Sequence, residues 1–243
     1  MARIDELLQQ ALSQLPAKST HTTQAEKKRY SEKVSEAVAL ALADELRHRG
    51  LKGARPGAGG ELGGSGAERR MSGGLGAKKV DVTWATETDG LLLAISVKTI
   101  NFKDDGTGNF QKNLTNRRSD MLMEAVTLHR RFPYAVLAGF FFLDKGAASD
   151  STLRRRSTFE NAHSRLQLFT GRSDPAGREE QFERFYLLLL DAAPTHVELT
   201  CYPVGSPKES ISLSDALDDL LVLTAQRNPD FYEFVDGKLG KAS

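Results

Sequence analysis

The sequence contains little that would cross-link the chain or anchor it in a membrane. It has one cysteine, Cys201, which excludes an internal disulfide and a metal cage built from cysteines. No apolar run reaches the length of a membrane span, and the first ten residues, M-A-R-I-D-E-L-L-Q-Q, lack the apolar segment of a secretory signal. No G-x-G-x-x-G or P-loop pattern opens a helical segment. We therefore expect a cytoplasmic protein that has no membrane partner.

Charge of one sign is also scarce, because the 243 residues carry a formal net charge of only +1. Bulk charge therefore does not indicate a nucleic-acid binder. The basic residues nevertheless occur in clusters, among them Lys78-Lys79, Arg117-Arg118, Arg130-Arg131 and Arg154-Arg155-Arg156. Such clusters either neutralise phosphates or form solvated surface, and for any one cluster alone solvated surface is the simpler interpretation.

Length and composition favour one domain with a substantial core. Apolar residues make up 40% of the chain and charged residues 27%, which is typical of a soluble protein. We expect a single domain over 1–243, with an α/β core at about 30–143 and a C-terminal α/β elaboration at about 150–236. Residues 50–76 hold about half of the 21 glycines and predict a flexible loop. This loop either orders when a ligand binds or is a tolerated insertion.

Hydrophobic periodicity predicts an α/β fold in which helices flank a central mixed β-sheet. Helices are predicted over 3–16, 30–49, 119–131, 150–170 and 213–226. Strands are predicted over 80–85, 91–100, 134–144, 182–192 and 196–204. The first two strands should form a hairpin, because a turn containing Asp89-Gly90 joins them. The helix over 119–131 is expected to be capped by Asn116 or Ser119.

Two charged residues in this hairpin suggest a site. Side chains alternate along a strand, so Ser96 and Lys98 point to the same face. Lys98 either reaches solvent at the edge of the sheet or lies near Asp81 on the neighbouring strand. In the second case Asp81 would hold a hard divalent cation, and Lys98 would orient a water and stabilise charge on a phosphate. One carboxylate is too few for such a cation, so further acids are needed.

Two helices offer those acids. Glu36 lies near the edge of the apolar stripe of the first long helix, whereas Glu45 lies within that stripe and needs a partner or a metal. Glu124 lies off the stripe of the later helix, where the ordinary role is a solvated ion pair with a neighbouring arginine. His129 lies on the stripe, and we expect a hydrogen-bonded core histidine there rather than a ligand.

The order of these features resembles the core of the PD-(D/E)XK nuclease superfamily over roughly residues 30–143. In that family an aspartate opens the second strand and a (D/E)-x-K motif ends the third. Asp81 in K-K-V-D-V matches the first position, and Lys98 in S-V-K matches the last. Ser96 stands where the acid is expected, as in a subset of restriction endonucleases whose glutamate is displaced to the following helix. The resemblance assigns that part to Glu124.

The resemblance implies a restriction endonuclease-like core and a Mg²⁺-dependent endonuclease that acts on DNA in restriction or phage defence. Asp81, Glu124 and Glu36, with Glu45 as the alternative to Glu36, would hold Mg²⁺, for which Mn²⁺ would substitute. Lys98 would position the attacking water. The loop over 101–116 and the helix after it would contact DNA. The expected DNA-binding residues are Lys103, Gln111, Lys112, Asn113, Arg117 and Arg118.

A second interpretation is a catalytically inactive α/β module that serves as a nucleic-acid or protein binding platform. Ser96 would then mark a lost site, although the retained Asp81 and Lys98 favour the enzyme. RNA or branched substrates are a third possibility that the sequence does not separate from the first. The modest net charge favours a homodimer that supplies additional basic surface, since symmetric cuts need two sites.

Overall fold

The structure is a computed structural model that describes residues 1–18, 22–57 and 69–242. The helices are α1 (Arg3–Ser13), α2 (Gln24–His48), α3 (Leu114–His129), α4 (Thr158–Leu166) and α5 (Leu213–Arg227). The strands are β1 (Arg69–Gly73), β2 (Gly76–Val80), β3 (Val82–Thr86), β4 (Gly90–Ile100), β5 (Val136–Asp144), β6 (Arg184–Ala193), β7 (His196–Pro203), β8 (Tyr232–Val235) and β9 (Lys238–Lys241).

Strands β3 to β7 form a five-stranded mixed sheet in the order β3-β4-β5-β6-β7. The inner strands β4, β5 and β6 are parallel to one another, and the edge strands β3 and β7 pair antiparallel with their neighbours. This confirms the predicted α/β fold with a central mixed sheet flanked by helices. The predicted hairpin is also confirmed, since β3 and β4 pair directly through the turn before Gly90.

The sheet separates two apolar cores, and β4 contributes to both because its side chains alternate. Leu93, Ile95 and Val97 enter the core that also contains α1, α2 and α5. Ala94 enters the opposite core, which contains α3 and α4. Ser96 and Lys98 continue the alternation on the side of α3, at the carboxyl end of a parallel strand. At the end of β4, side chains from α2 on one face of the sheet and from α3 on the other can therefore contribute to one site.

Helix α2 begins earlier than the predicted start at residue 30. Thr23 accepts the amide of Glu26, and the Glu26 carboxylate accepts the amide and hydroxyl of Thr23, which is a reciprocal capping box. The helix ends before Gly50, as predicted, and Gly50 has a φ of +102° that favours glycine. Among the helices of the described ranges, none is both long and apolar enough to cross a bilayer.

The predicted flexible loop over 50–76 is wrong for its last part, while residues 58–68 of it lie outside the described residues. Residues 69–80 form an antiparallel hairpin of β1 and β2 that packs on α3. The glycines allow close approach rather than flexibility, because a Cβ on Gly73 would lie 2.4 Å from the Thr127 side chain. The Gly74 amide donates to the Thr127 carbonyl at 2.8 Å.

Two further helix boundaries differ from the prediction, and one hairpin was not predicted. Helix α3 begins at Leu114, so neither Asn116 nor Ser119 is its cap, and Asn113 occupies the cap position. The helix predicted over 150–170 is confined to α4 and a short 3-10 turn, because a capping box at Ser157 and Glu160 sets its start. The C-terminal hairpin of β8 and β9 was not predicted, because its two strands are only four residues long each.

Candidate active site

Lys98 lies between two carboxylates at the carboxyl end of β4. Its Nζ is 3.6 Å from Asp81 Oδ2 and 3.7 Å from Glu124 Oε2. The side chain of Lys98 is 17% exposed, so a desolvated ammonium faces two acids that come from different elements. The structure thus brings together the three residues that the sequence singled out.

Asp81 is held in place by the backbone of β4. It occupies the bend between β2 and β3, and its carboxylate accepts the amide of Val97 at 2.7 Å. Cross-strand pairing begins one residue later, at Val82 opposite Ile95. The Asp81 carboxylate therefore accepts a backbone amide of β4 where the strand pairing begins. Because that amide belongs to Val97, the residue before Lys98, the bond holds Asp81 close to Lys98.

Glu124 is buried, at 5% exposure, although it was expected to be solvated on the flank of α3. The physical reason is the β1–β2 hairpin, which covers this flank and bonds to Thr127, one turn further along the helix. Burial raises the pKa of the Glu124 carboxyl to about 7; Lys98 opposes this rise and the negative charge of Asp81 adds to it. Near neutral pH this carboxyl is poised between its two protonation states.

Burial and the two neighbouring acids shift the pKa of Lys98 in opposite directions. Desolvation lowers the pKa of its ammonium, but the charges of Glu124 and Asp81 outweigh that effect and leave the pKa above its ordinary value. Lys98 is therefore a permanent cation at neutral pH. It can donate hydrogen bonds to a water or a phosphate oxygen, but it does not act as a base.

Ser96 is 1% exposed and lies two residues before Lys98 on the same face of β4. Its hydroxyl is near enough to Glu124 to lower the pKa of that carboxyl slightly. It forms no hydrogen bond of ordinary geometry with any residue that the structure describes. A buried hydroxyl without a partner beside two acids is a group that a bound water or ion would satisfy.

Asp81, Lys98 and Glu124 line a cleft of about 1220 Å³ between α2, the end of β4 and the loop that leads to α3. Glu36 on α2 also lines the cleft, as the sequence favoured. Glu45 lies elsewhere, buried in an ion-pair cluster at 2.9 Å from Arg3 and 2.7 Å from Arg49. The partner that a buried Glu45 requires is therefore arginine, which leaves Glu36 as the acid of α2 in the cleft.

The predicted DNA-binding residues divide into two groups. Lys103, Lys112, Asn113 and Arg117 line the cleft. Gln111 and Arg118 lie outside it, and the Arg118 guanidinium stacks 5.7 Å from the centre of the Phe169 ring. The cleft residue Lys112 pairs with Asp104 of its own loop. A phosphate would have to compete with that carboxylate.

Sequence reasoning missed several residues of the cleft. They are Lys27, Lys28, Ser31, Lys78, Lys79 and Asn101. The capping box at Thr23 would have placed Lys27 and Lys28 on the helix that also carries Glu36. Lys78 and Lys79 were noted as a basic cluster, and their position two to three residues before Asp81 was the signal that they share its site.

His129 is a hydrogen-bonded core histidine, as expected. Its Nδ1 is 2.9 Å from the Glu179 carbonyl, and its Nε2 is 3.3 Å from the buried Glu183 carboxylate. Glu183 also accepts Arg172 at 2.8 Å and Arg227 at 3.2 Å. This buried network ties the end of α3 to the start of β6 and so holds the helix that carries Glu124.

The donors in the cleft suit a hard divalent cation. Asp81, Glu124 and Glu36 offer carboxylate oxygens, which Mg²⁺ and Mn²⁺ prefer. The acids line the cleft together with several lysines. Within the described ranges, ligand atoms of Asp81, Glu124 and Glu36 do not all lie within 4.8 Å of one another, so these residues suit the ion by ligand type and not by distance.

In the described ranges, one group of side chains brings three ligand atoms close enough together for a metal ion. One ligand atom each from Asp191, His196 and Glu198 lies within 4.8 Å of the others, on the hairpin of β6 and β7. His196 and Glu198 are exposed, and Glu198 already pairs with Lys145. None of the three lines the cleft.

Comparison with models of protein families, with curated proteins and with solved structures finds no match for this chain. The resemblance read from the sequence therefore stays a prediction.

Proposed function

We propose that this chain is a Mg²⁺-dependent nuclease with a restriction endonuclease-like core that hydrolyses phosphodiester bonds of DNA in restriction or phage defence. The observation that carries the proposal is the position of Lys98, 3.6 Å from Asp81 and 3.7 Å from the buried Glu124, within a lysine-lined cleft. An ammonium held between two acids, beside a third, matches the needs of phosphodiester hydrolysis.

Asp81, Glu124 and Glu36 would hold Mg²⁺ or Mn²⁺, because all three acids line the same cleft and come from three different elements of the chain. The bound cation would neutralise charge that develops on the phosphate oxygens. Glu124 must lose its proton before it can act as a ligand, and the pKa of about 7 makes this step depend on pH near neutrality. Asp81 is preset for its role by the hydrogen bond from the Val97 amide.

Lys98 would orient the attacking water and stabilise the phosphate by donating hydrogen bonds. Its raised pKa keeps it charged, so its contribution is positional and electrostatic. The remaining lysines of the cleft would bind the nucleic-acid backbone. Lys78, Lys79, Lys103 and Arg117 line the same cleft as the acids. Because these contacts are ionic, affinity should fall steeply with salt.

The test is cleavage of supercoiled plasmid, linear duplex, single-stranded DNA and RNA with Mg²⁺, compared with the same reactions in EDTA. Asp81→Ala, Lys98→Ala and Glu124→Ala should abolish cleavage, and Glu87→Ala, an exposed acid of the β3–β4 turn that does not line the cleft, should retain it. Cleavage by Asp81→Ala and Lys98→Ala at the wild-type rate would show that the site is wrong. Binding of nucleic acid without cleavage of any substrate would favour the inactive platform.

A further inference from the structure

A short turn before α4 exposes an apolar side chain at its tip. Thr152 and Arg155 exchange backbone hydrogen bonds of 2.8 and 3.2 Å, which leaves Leu153 and Arg154 as the two residues of the turn. Leu153 is fully exposed, more so than any other large apolar side chain in the described ranges. Turn positions usually carry glycine, asparagine, aspartate or proline, so local turn chemistry does not account for a leucine there.

The base of this turn is firmly held. The carboxylate of Asp150, a residue 8% exposed, accepts the Thr158 amide at 2.7 Å and the Thr158 hydroxyl at 2.6 Å. Arg155 donates to the backbone carbonyl of Asp150 and lies 3.8 Å from its carboxylate. Arg155 is thus bonded to Asp150 at the base of the turn. Its neighbours in sequence, Arg154 and Arg156, are exposed.

The same aspartate connects the turn to the cleft. Asp150 Oδ2 accepts the amide of Phe110 at 3.1 Å, and Phe110 lines the cleft together with Asn109 and Lys112 of its loop. Through Asp150 the turn is therefore hydrogen-bonded to a loop that lines the cleft. A firmly held base, an apolar tip and two exposed arginines are combined in a segment that contacts the wall of the proposed active site.

We propose that Leu153 is a wedge that inserts between stacked base pairs of duplex DNA, while Arg154 and Arg156 contact the phosphates beside the opened step. The inference rests on the proposed function for its ligand class. An apolar side chain gains from a stack only if two base pairs can part to receive it, and leucine serves this purpose in proteins that kink DNA. Single strands are held instead by stacking on aromatic rings, which the tip of this turn lacks.

The test measures binding of the full-length protein to labelled DNA in metal-free buffer, so that no cleavage occurs. The probes are a random-sequence duplex, either of its single strands, and a double-stranded RNA of the same sequence. Leu153→Ala should weaken duplex DNA binding about tenfold and leave single-strand binding unchanged, because part of a buried leucine is lost. Leu168→Ala, an exposed leucine of the 3-10 turn after α4 and outside the Thr152–Arg155 turn, is the matched control and should have no effect.

Arg154→Gln should weaken binding to all strands and reduce the salt dependence by about one ion. An effect of Arg154→Gln without an effect of Leu153→Ala would overturn the wedge. The same holds if Leu153→Ala weakens single-strand binding equally, acts only on the RNA duplex, or behaves like Leu168→Ala. Absence of duplex binding by the wild type would also overturn it.

Failure of the proposed function would look different. A wild-type protein that cleaves no substrate with Mg²⁺, yet shows the duplex-specific loss in Leu153→Ala, would refute the nuclease and retain the wedge. A protein that cleaves DNA, with Leu153→Ala binding duplex as the wild type does, would retain the nuclease and refute the wedge.

Discussion

Replacing Glu124 by glutamine is predicted to stabilise the metal-free protein at alkaline pH while it removes a ligand of the proposed metal site. The buried Glu124 carboxyl has a pKa of about 7 against an ordinary 4.5. The folded protein therefore binds more protons than the unfolded chain between about pH 4.5 and about 7, so the free energy of unfolding falls as the pH rises through this window. At about 1.4 kcal/mol for each pKa unit, the loss reaches about 3 kcal/mol at pH 8.

Glutamine imitates the protonated carboxyl and does not pay this penalty. Urea unfolding in EDTA should therefore show Glu124→Gln about 3 kcal/mol more stable than the wild type at pH 8, and less than about 1 kcal/mol more stable at pH 5. The attraction to Lys98 is already contained in the pKa of Glu124, so it does not reverse the sign. Glu87→Gln, at an exposed acid of the β3–β4 turn that does not line the cleft, should change little at either pH.

Addition of Mg²⁺ should then reverse the order. The wild type gains stability in proportion to its affinity for the ion, whereas Glu124→Gln gains much less. A glutamine variant that is less stable than the wild type by the same amount at pH 5 and pH 8 would refute the reasoning, because the carboxylate would then contribute through packing and hydrogen bonding alone.

Three other predictions address the site and its support. Mg²⁺ or Mn²⁺ affinity measured by calorimetry should rise several-fold from pH 6 to 8, with proton release, because Glu124 must ionise first; a pH-independent affinity would contradict this. Gly73→Ala should lower the free energy of unfolding by about 1–3 kcal/mol, because its Cβ would lie 2.4 Å from Thr127, whereas Gly53→Ala, with open space around it, should not; equal urea midpoints would count against the close packing of the hairpin. Glu183→Ala should lower the free energy of unfolding by about 3–5 kcal/mol in the same assay, because it leaves two buried arginines without their carboxylate. Glu180→Ala, which removes an exposed ion pair, is the control and should lower it by less than about 1 kcal/mol. A decrease for Glu183→Ala no larger than that of the control would mean that the network does not hold α3.

The central hairpin and the pairing of Asp81 with Lys98 could be predicted from the sequence because local rules determine them. Alternation of side chains places Ser96 and Lys98 on one face of β4, and a short turn forces the two strands to be neighbours. The apolar run of β4 also indicates a strand covered on both faces, as the two cores show. None of these inferences requires knowledge of distant contacts.

The burial of Glu124 could not be predicted in this way. On its own helix it lies off the apolar stripe, and only the hairpin of β1 and β2, some fifty residues earlier, covers that flank. The glycines of that hairpin were read as flexibility because composition does not reveal close packing against Thr127. The arginines at 154–156 were assigned to a helix because the capping box at Ser157, a local signal, was not used.

The most direct test of the account is the rate of plasmid cleavage as a function of Mg²⁺ concentration for the wild type, Glu124→Gln and Glu87→Gln. The account predicts Mg²⁺-dependent cleavage by the wild type and by Glu87→Gln, and a rate lower by at least about a hundredfold for Glu124→Gln, since one ligand of the ion is lost. Cleavage by Glu124→Gln at the wild-type rate and with the same Mg²⁺ requirement would contradict it, because the acid that replaces Ser96 would then not be Glu124.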